Sequence, residues 1–273
     1  MIERRTFLTS VLGSSVFASV AGVAGSSGGG GGQPVAQSSP EFYVWRQYVL
    51  KNGVQPRRLA DFLQTAAIPA LNRLGHKPVG AFEVVAGVQT PAVFLLTPCS
   101  TLDSLASLDA ELDADGEYMR AGAPFLDTPA TDSPYARQEV SLLAAFAKVP
   151  RLEVPAATAT KGPRLFELRT YENPSEKAQR AKIRMFAEMG EIEIFRRVGL
   201  TPVFFSRTLV GPHMPSITYM LVHENMAGRE KSWDAFRNDP EWKKLAATPS
   251  YSDAEIVSNI TTVFLRPAGY SQI

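Results

Sequence analysis

Apolar residues alternate with polar ones in short runs, and between those runs they recur at steps of three and four. From Arg164 to Tyr171 the chain sets Phe166, Leu168 and Thr170 against Leu165, Glu167, Arg169 and Tyr171, the period-two pattern of a half-buried strand. Asn173, Pro174 and Glu176 have the form of a helix start. Met185, Met189, Ile192 and Phe195 then share one helical face, with Arg196-Arg197 in the last turn and Gly199 beyond. Val203 to Val210 and Ser216 to His223 read as strands joined by the turn Gly211-Pro212-His213-Met214-Pro215. A helix over Ala227 to Phe236, a shorter one starting at Asp239-Pro240 and a strand over Val257 to Leu265 complete the series. The predicted order is β-α-β-β-α-β, a ferredoxin-like unit.

The same order is legible upstream. Strands are expected over Phe42 to Val49, Val79 to Ala86, Ala92 to Thr97 and Val140 to Ala147. A first helix carries Leu59, Phe62, Leu63, Ala66 and Leu74 on one face, kinked at Pro69, and a second runs from Leu102 to Leu112. Ala123 to Pro134 reads as a proline-rich loop, and Tyr43 with Trp45 as packing under the first helix. The two units share a register. Asp115-Gly116-Glu117-Tyr118 and Asp239-Pro240-Glu241-Trp242 lie 124 residues apart, as do Gly75-His76-Lys77-Pro78-Val79 and Gly199-Leu200-Thr201-Pro202-Val203. Arg46-Gln47-Tyr48 falls opposite Arg169-Thr170-Tyr171 with a slip of one. A duplicated unit that cannot bury its apolar face alone buries it against its copy.

The organisation that follows is a signal over residues 1–24, a disordered Gly/Ser linker over 25–40, a first copy over 41–148, a linker over 149–163 and a second copy over 164–273. Arg4-Arg5-Thr6-Phe7-Leu8 and the Ser-diluted apolar run to Ala24 have the form of a twin-arginine export signal, with an ordinary secretory signal and a retained anchor as the alternatives. The expected location is periplasmic or secreted, with no stable membrane anchor after signal removal. Past residue 24, positive and negative side chains balance at 26 each. With no basic cluster, nucleic acid is excluded as a partner. The single cysteine, Cys99, allows no internal disulfide.

Phe166-Glu167-Leu168-Arg169-Thr170-Tyr171, Gly199, Gly211, Arg229 and Asp239-Pro240-Glu241-Trp242 together resemble a NIPSNAP domain, and the first copy, keeping Arg46, Tyr48, Gly75, Asp115 and Glu117, is similar to a degraded one. The resemblance implies an α+β fold of the dimeric α+β barrel class. The tandem ferredoxin-like repeats would close into such a barrel within one chain. The chain departs from the family where a third-strand histidine is usual, with Tyr219 and Leu95 near that place, and where Met214-Pro215 replaces an asparagine turn.

In such a barrel Glu167, Arg169 and Tyr171 would face inward, opposite the apolar Phe166 and Leu168, with Arg46 and Tyr48 approaching from the other half. With Tyr219 they form a candidate site for a small anionic or aromatic molecule. The bland alternative is a structural bridge from Arg169 to Glu167. His76, His213 and His223 have no ligand spacing and read as surface residues, haem ligation through one of them being the alternative; no cofactor and no metal are expected. Trp233, Phe236 and Trp242 read as core, Asp239-Pro240-Glu241 as a helix start, and Cys99 as a non-nucleophile. Phosphate-loop, Gly-x-Ser-x-Gly, His-Glu-x-x-His and Cys-x-x-Cys motifs are absent from the sequence. Three functions stay open: a module binding a small molecule or a protein partner, a barrel-cavity enzyme of oxygenase or isomerase type, and a structural duplication. Monomer and homodimer are equally open.

Overall fold

A computed structural model of the chain describes residues 39–87 and 89–273, so the expected signal peptide and the tether as far as residue 38 lie outside the described residues. The first half contains β1 (Phe42–Val49), α1 (Val54–Phe62), a π turn (Leu63–Ala67), α2 (Ile68–Arg73), β2 (Gly80–Ala86), β3 (Ala92–Cys99), α3 (Leu102–Ala106), α4 (Leu108–Ala114), α5 (Gly116–Leu126) and β4 (Arg137–Ala145). The second contains β5 (Leu165–Glu172), α6 (Glu176–Ala187), α7 (Glu191–Arg197), β6 (Thr201–Val210), β7 (Ser216–His223), α8 (Met226–Asn238), α9 (Pro240–Ala246), α10 (Asp253–Ile256) and β8 (Asn259–Pro267).

Local chemistry explains most boundaries. Asp115 and Asp239 each accept two backbone N–H groups, from Glu117 and Tyr118 and from Glu241 and Trp242, so the repeated tetrapeptide is a pair of helix caps. Arg73 binds Asp115 at 2.7 Å and Arg197 binds Asp239 at 2.8 Å, the same ion pair in both halves. The cap of α6 is Ser175, whose Oγ accepts from the Ala178 N–H at 3.2 Å. Asn173 instead sends its amide to the Ile256 carbonyl at 2.6 Å, tying the helix entry to α10. The long helix expected to reach Arg197 is two helices, because Gly190 takes φ 94° between them.

Two proline expectations are corrected. Pro69 does not simply kink one helix: the wide π turn ends just before it and places it in the first turn of α2, where a missing N–H is tolerated. Ala123 and Pro124 belong to α5, held there by Phe125, whose ring stacks on Phe62 at 4.1 Å between centroids.

Each half forms an antiparallel four-stranded sheet, and the two join edge to edge. The closed strand order is β1-β3-β2-β8-β5-β7-β6-β4. The seams are β2 with β8, where Glu83 faces Arg266, and β4 with β6, where Ala144 faces Arg207. Closure removes all four free edges that two separate sheets would carry.

It also gives every strand an inward and an outward face, both largely buried except near the seams, where Val85, Val140, Val210 and Ile260 stay exposed. One face packs on helices, through Tyr48, Leu59, Leu63, Phe125 and Leu95 in the first half and Phe186, Phe195, Phe205, Tyr219 and Trp233 in the second. The inward face holds Tyr43, Trp45, Phe82, Phe94, Phe166, Leu168, Phe204, Met220, Val263 and Leu265. Tyr43 and Trp45 therefore point into the barrel and not under the first helix, and Arg46, Tyr48, Glu167, Arg169, Tyr171 and Tyr219 point outward into the helix layers. The parity expected from the sequence was reversed. Both faces of the closed sheet carry buried apolar clusters, so apolar character does not by itself identify the helix side.

Candidate functional site

Reading the inward positions along each strand reveals a second ordering, from apolar to polar. β5 presents Phe166, Leu168, Thr170 and Glu172; β8 runs Leu265, Val263, Thr261 and Asn259; β7 runs Val222, Met220, Thr218 and Ser216. β1 and β4 follow the same sense, with Tyr43, Trp45 and Gln47 beside Leu143, Ser141 and Glu139. These series are in register, so the apolar ends gather at one mouth and the polar ends at the other. The interior of an eight-stranded barrel is either filled by side chains or wide enough for one small ligand. Here one end is filled, with Tyr43, Phe82, Phe166, Phe204, Leu265 and Ile273 all inaccessible. The other end opens into a cavity of about 430 Å³.

The cavity has an apolar floor and a polar wall. The floor is Trp45, stacked on Phe94 at 4.9 Å, with Leu143, Leu168 and Val263. Hydroxyl and amide groups form the wall: Ser141, Thr170, Thr208, Ser216, Thr218, Thr261, Gln47, Gln89 and Asn259. Some of these bind one another, Thr170 to Thr218 at 3.2 Å and Thr208 to Ser216 at 2.8 Å. Two carboxylates sit at the rim. Glu172 accepts from Asn259 at 2.9 Å and lies 3.5 Å from the His213 Nδ1, while Glu139 pairs with Arg137. Among the lining residues there is no lysine or arginine. This surface suits an uncharged molecule with an aromatic ring and hydrogen-bonding substituents.

The candidate residues named from the sequence form a different structure, on the opposite side of β5. Glu167 is completely buried. Its Oε1 accepts from Arg169 at 3.0 Å and Arg229 at 2.8 Å, and its Oε2 from Arg229 Nε at 2.9 Å and Trp233 Nε1 at 2.8 Å. The His223 Nε2 completes the set at 3.1 Å and carries its proton there, because an ionised carboxylate only accepts. Burial alone would raise the Glu167 pKa. The hydrogen bonds from His223, Arg229 and Trp233, with the charge of Arg169, overcome that and hold it well below the usual carboxylate range. Arg169 also donates to the Tyr171 hydroxyl at 3.2 Å, which accepts from Tyr219 at 3.1 Å, and its guanidinium lies 4.8 Å from the Trp233 ring centre. The structural alternative, an Arg169–Glu167 bridge, is the arrangement that forms, with α8 locked to the sheet through it.

In the first half, β1 places Val44 where β5 has Glu167. Arg46 and Tyr48 border a separate space of about 160 Å³ beneath α4 and α5. None of the six ligand-binding candidates Arg46, Tyr48, Glu167, Arg169, Tyr171 and Tyr219 lines the barrel cavity. The residues that do were missed because each is an ordinary Thr, Ser or Gln in its own strand, and only the alignment of the strands shows their common mouth.

The remaining polar groups are largely accounted for by packing. His76 and His223 are buried, contrary to the surface reading. The His76 Nδ1 lies 2.9 Å from the Pro98 carbonyl, and His213 is the exposed one at the cavity rim. The His223 Nε2 lies on Glu167, and His213 faces Glu172 at the open lip. Lys182, unremarked in the sequence, is buried against Glu191 at 3.2 Å and Asp253 at 3.1 Å. Burial pushes the Cys99 thiol up to about 11, with Glu41 adding to the effect. Trp233 and Phe236 are core, as expected, and the Phe236 ring centroid is 4.3 Å from that of Trp242. The described residues hold no cluster of metal-ligating side chains and no helix long and apolar enough to cross a membrane.

Residues 166–272 match the NIPSNAP family model. Among solved structures, the barrel is similar to a presumptive monooxygenase from Lactobacillus acidophilus NCFM, at 9% identity and TM-score 0.56 over 84% of this chain and 94% of that one. It is also similar to another such protein from Fusobacterium nucleatum subsp. nucleatum ATCC 25586, at 6% identity and TM-score 0.51 over 84% and 93%. A NIPSNAP family protein from Agrobacterium tumefaciens str. C58 aligns at 18% identity and TM-score 0.35 over 40% of this chain and 96% of its own. The search of curated proteins returned no match. At these identities the two larger likenesses establish the fold, an α+β barrel built from one chain.

Replacing Glu167 by Gln removes the carboxylate that Arg169 and Arg229 share, leaving Arg169 without an ion pair and Arg229 with Glu230 alone. It is expected to cost about 3 kcal/mol at neutral pH, measured by urea unfolding. Because the native carboxylate titrates below its unfolded value of about 4.3, its contribution is present above that pH and lost as pH falls through the range beneath it. The Gln variant is expected to lack this acid-dependent loss, and an unchanged acid limb would contradict the assignment.

Proposed function

We propose that the open end of the barrel binds a small uncharged aromatic molecule bearing hydroxyl or similar groups, and that the protein is a binding module built from two tandem NIPSNAP-type copies. The observation that carries this reading is the cavity itself: an aromatic floor of Trp45 and Phe94 under a wall of threonine, serine and amide side chains. Of the two ligand classes open from the sequence, the aromatic one suits this space. The anionic one does not, since Glu139 and Glu172 would repel it and no cation stands among the lining residues. A monomer suffices for this function, because one chain supplies both halves of the barrel.

A second reading rests on one specific feature, His213 beside Glu172 at the lip. A carboxylate next to an imidazole can take up and return a proton, so an isomerase-type reaction on a molecule seated over Trp45 is the enzymatic alternative. The barrels named as monooxygenases make an oxygenase a further possibility at the level of fold alone. We also read the chain as exported through the Arg4-Arg5 signal, to the periplasm or beyond, with the barrel as its mature part.

Phenol and hydroquinone are expected to raise the melting temperature of the wild-type protein, by about 3–6 °C at ten times the dissociation constant. Thr261→Trp, which fills the cavity from β8, should abolish that rise while leaving the unliganded protein folded; a rise that survives it places the ligand elsewhere. In the same assay His213→Asn should leave binding intact. Loss of turnover in that variant, with binding retained, would favour the enzyme over the module. For export, replacing Arg4 and Arg5 by lysines is expected to keep the protein in the cytoplasm of a host with twin-arginine transport, and continued secretion would point to the ordinary route.

A further inference from the structure

Arg46 and Arg169 occupy matching places in the two halves and each donates to the tyrosine two residues on, yet their other surroundings differ. Arg169 meets the carboxylate of Glu167, the ring of Trp233 and, across the ladder, Tyr219. At the corresponding positions Arg46 meets Val44 on its own strand and Leu95 across the ladder, and Asp109 stands at the repeat spacing from Trp233. Asp109 adds a favourable field but lies outside ion-pair distance, and among the described residues no carboxylate comes within 4 Å of the Arg46 guanidinium. Its one side-chain hydrogen bond is a 3.5 Å contact to Tyr48, and its Nε, like that of Arg169, is buried without a partner. Where Trp233 fills the second half, the first retains the 160 Å³ space bordered by Arg46, Tyr48, Tyr118, Tyr135 and Gln138.

Arg46 is half-buried with no carboxylate in ion-pair contact, and a cavity beside it is the place from which an anion would satisfy it. We propose that this space binds a small aromatic carboxylate, with the carboxylate taking on Arg46 the role that Glu167 plays on Arg169. The size matches, since an apolar cavity of about 150 Å³ accommodates a benzene ring. Phe62, Leu108 and Phe125 supply apolar walls for the ring, and the phenols and Gln138 supply donors near the guanidinium. This site lies outside the barrel interior and is independent of the ligand assigned there.

Benzoate is the probe, read by thermal shift and calorimetry on the full folded chain. It is expected to raise the wild-type melting temperature by about 3–6 °C at ten times its dissociation constant. Arg46→Met should weaken benzoate at least tenfold while leaving the unliganded melting temperature unchanged or higher. Val44→Glu, which supplies from within the carboxylate that the second half already has, should remove benzoate binding and keep the fold, and it decides the matter should Arg46→Met unfold. Thr261→Trp should bind benzoate as the wild type does. Failure of the wild type to respond to benzoate overturns the proposal, as does a response that persists in folded Arg46→Met or Val44→Glu protein.

Discussion

The pairing of β2 with β8 and of β4 with β6 is the constraint on which the rest depends. Each seam joins an outer strand of one half to an outer strand of the other, so a single chain achieves what two separate sheets could reach only by association. Once the seams form, every strand has an inward and an outward face. The barrel interior and the two helix layers become three separate compartments, and each side chain's chemistry is decided by which one its parity assigns it to.

That constraint also explains where the sequence was readable and where it misled. The strand positions and the two aspartate caps depend on neighbours a few residues away, and β1 and β7 fall on the expected residues. The halving of the second helix turns on one glycine, and the capping role of Ser175 on the competing attraction of Asn173 for Ile256, a residue 83 positions away. Parity failed for a deeper reason. Glu167, Arg169 and Tyr171 are polar residues sealed against helices by hydrogen bonds to α8 and β7, so a rule that sends the polar face away from the packed layer assigns them wrongly. The cavity was legible only in retrospect, as five strands whose inward residues turn from apolar to hydroxylated in the same direction.

The two halves carry different chemistry on matching strands. In the second, the residues that carry the family resemblance (Glu167, Arg169, Tyr171 and Arg229) form a closed network whose donors and acceptors largely satisfy one another, and its office is to fix α8 on the sheet. The first half keeps the arginine and the tyrosine but has a valine for the glutamate and no tryptophan over the guanidinium, which leaves charge and space unused by the fold.

The central claim is that the barrel interior is open at one end and plugged at the other along the same strand. Thr261 and Leu265 both point inward from β8, the first at the cavity wall and the second inaccessible in the plug. Cysteine at each position, in a Cys99→Ala background, can be timed against a water-soluble thiol reagent under native conditions. The account predicts ready modification of Thr261→Cys and protection of Leu265→Cys until the protein unfolds. Equal reactivity at the two positions, fast or slow, would contradict it.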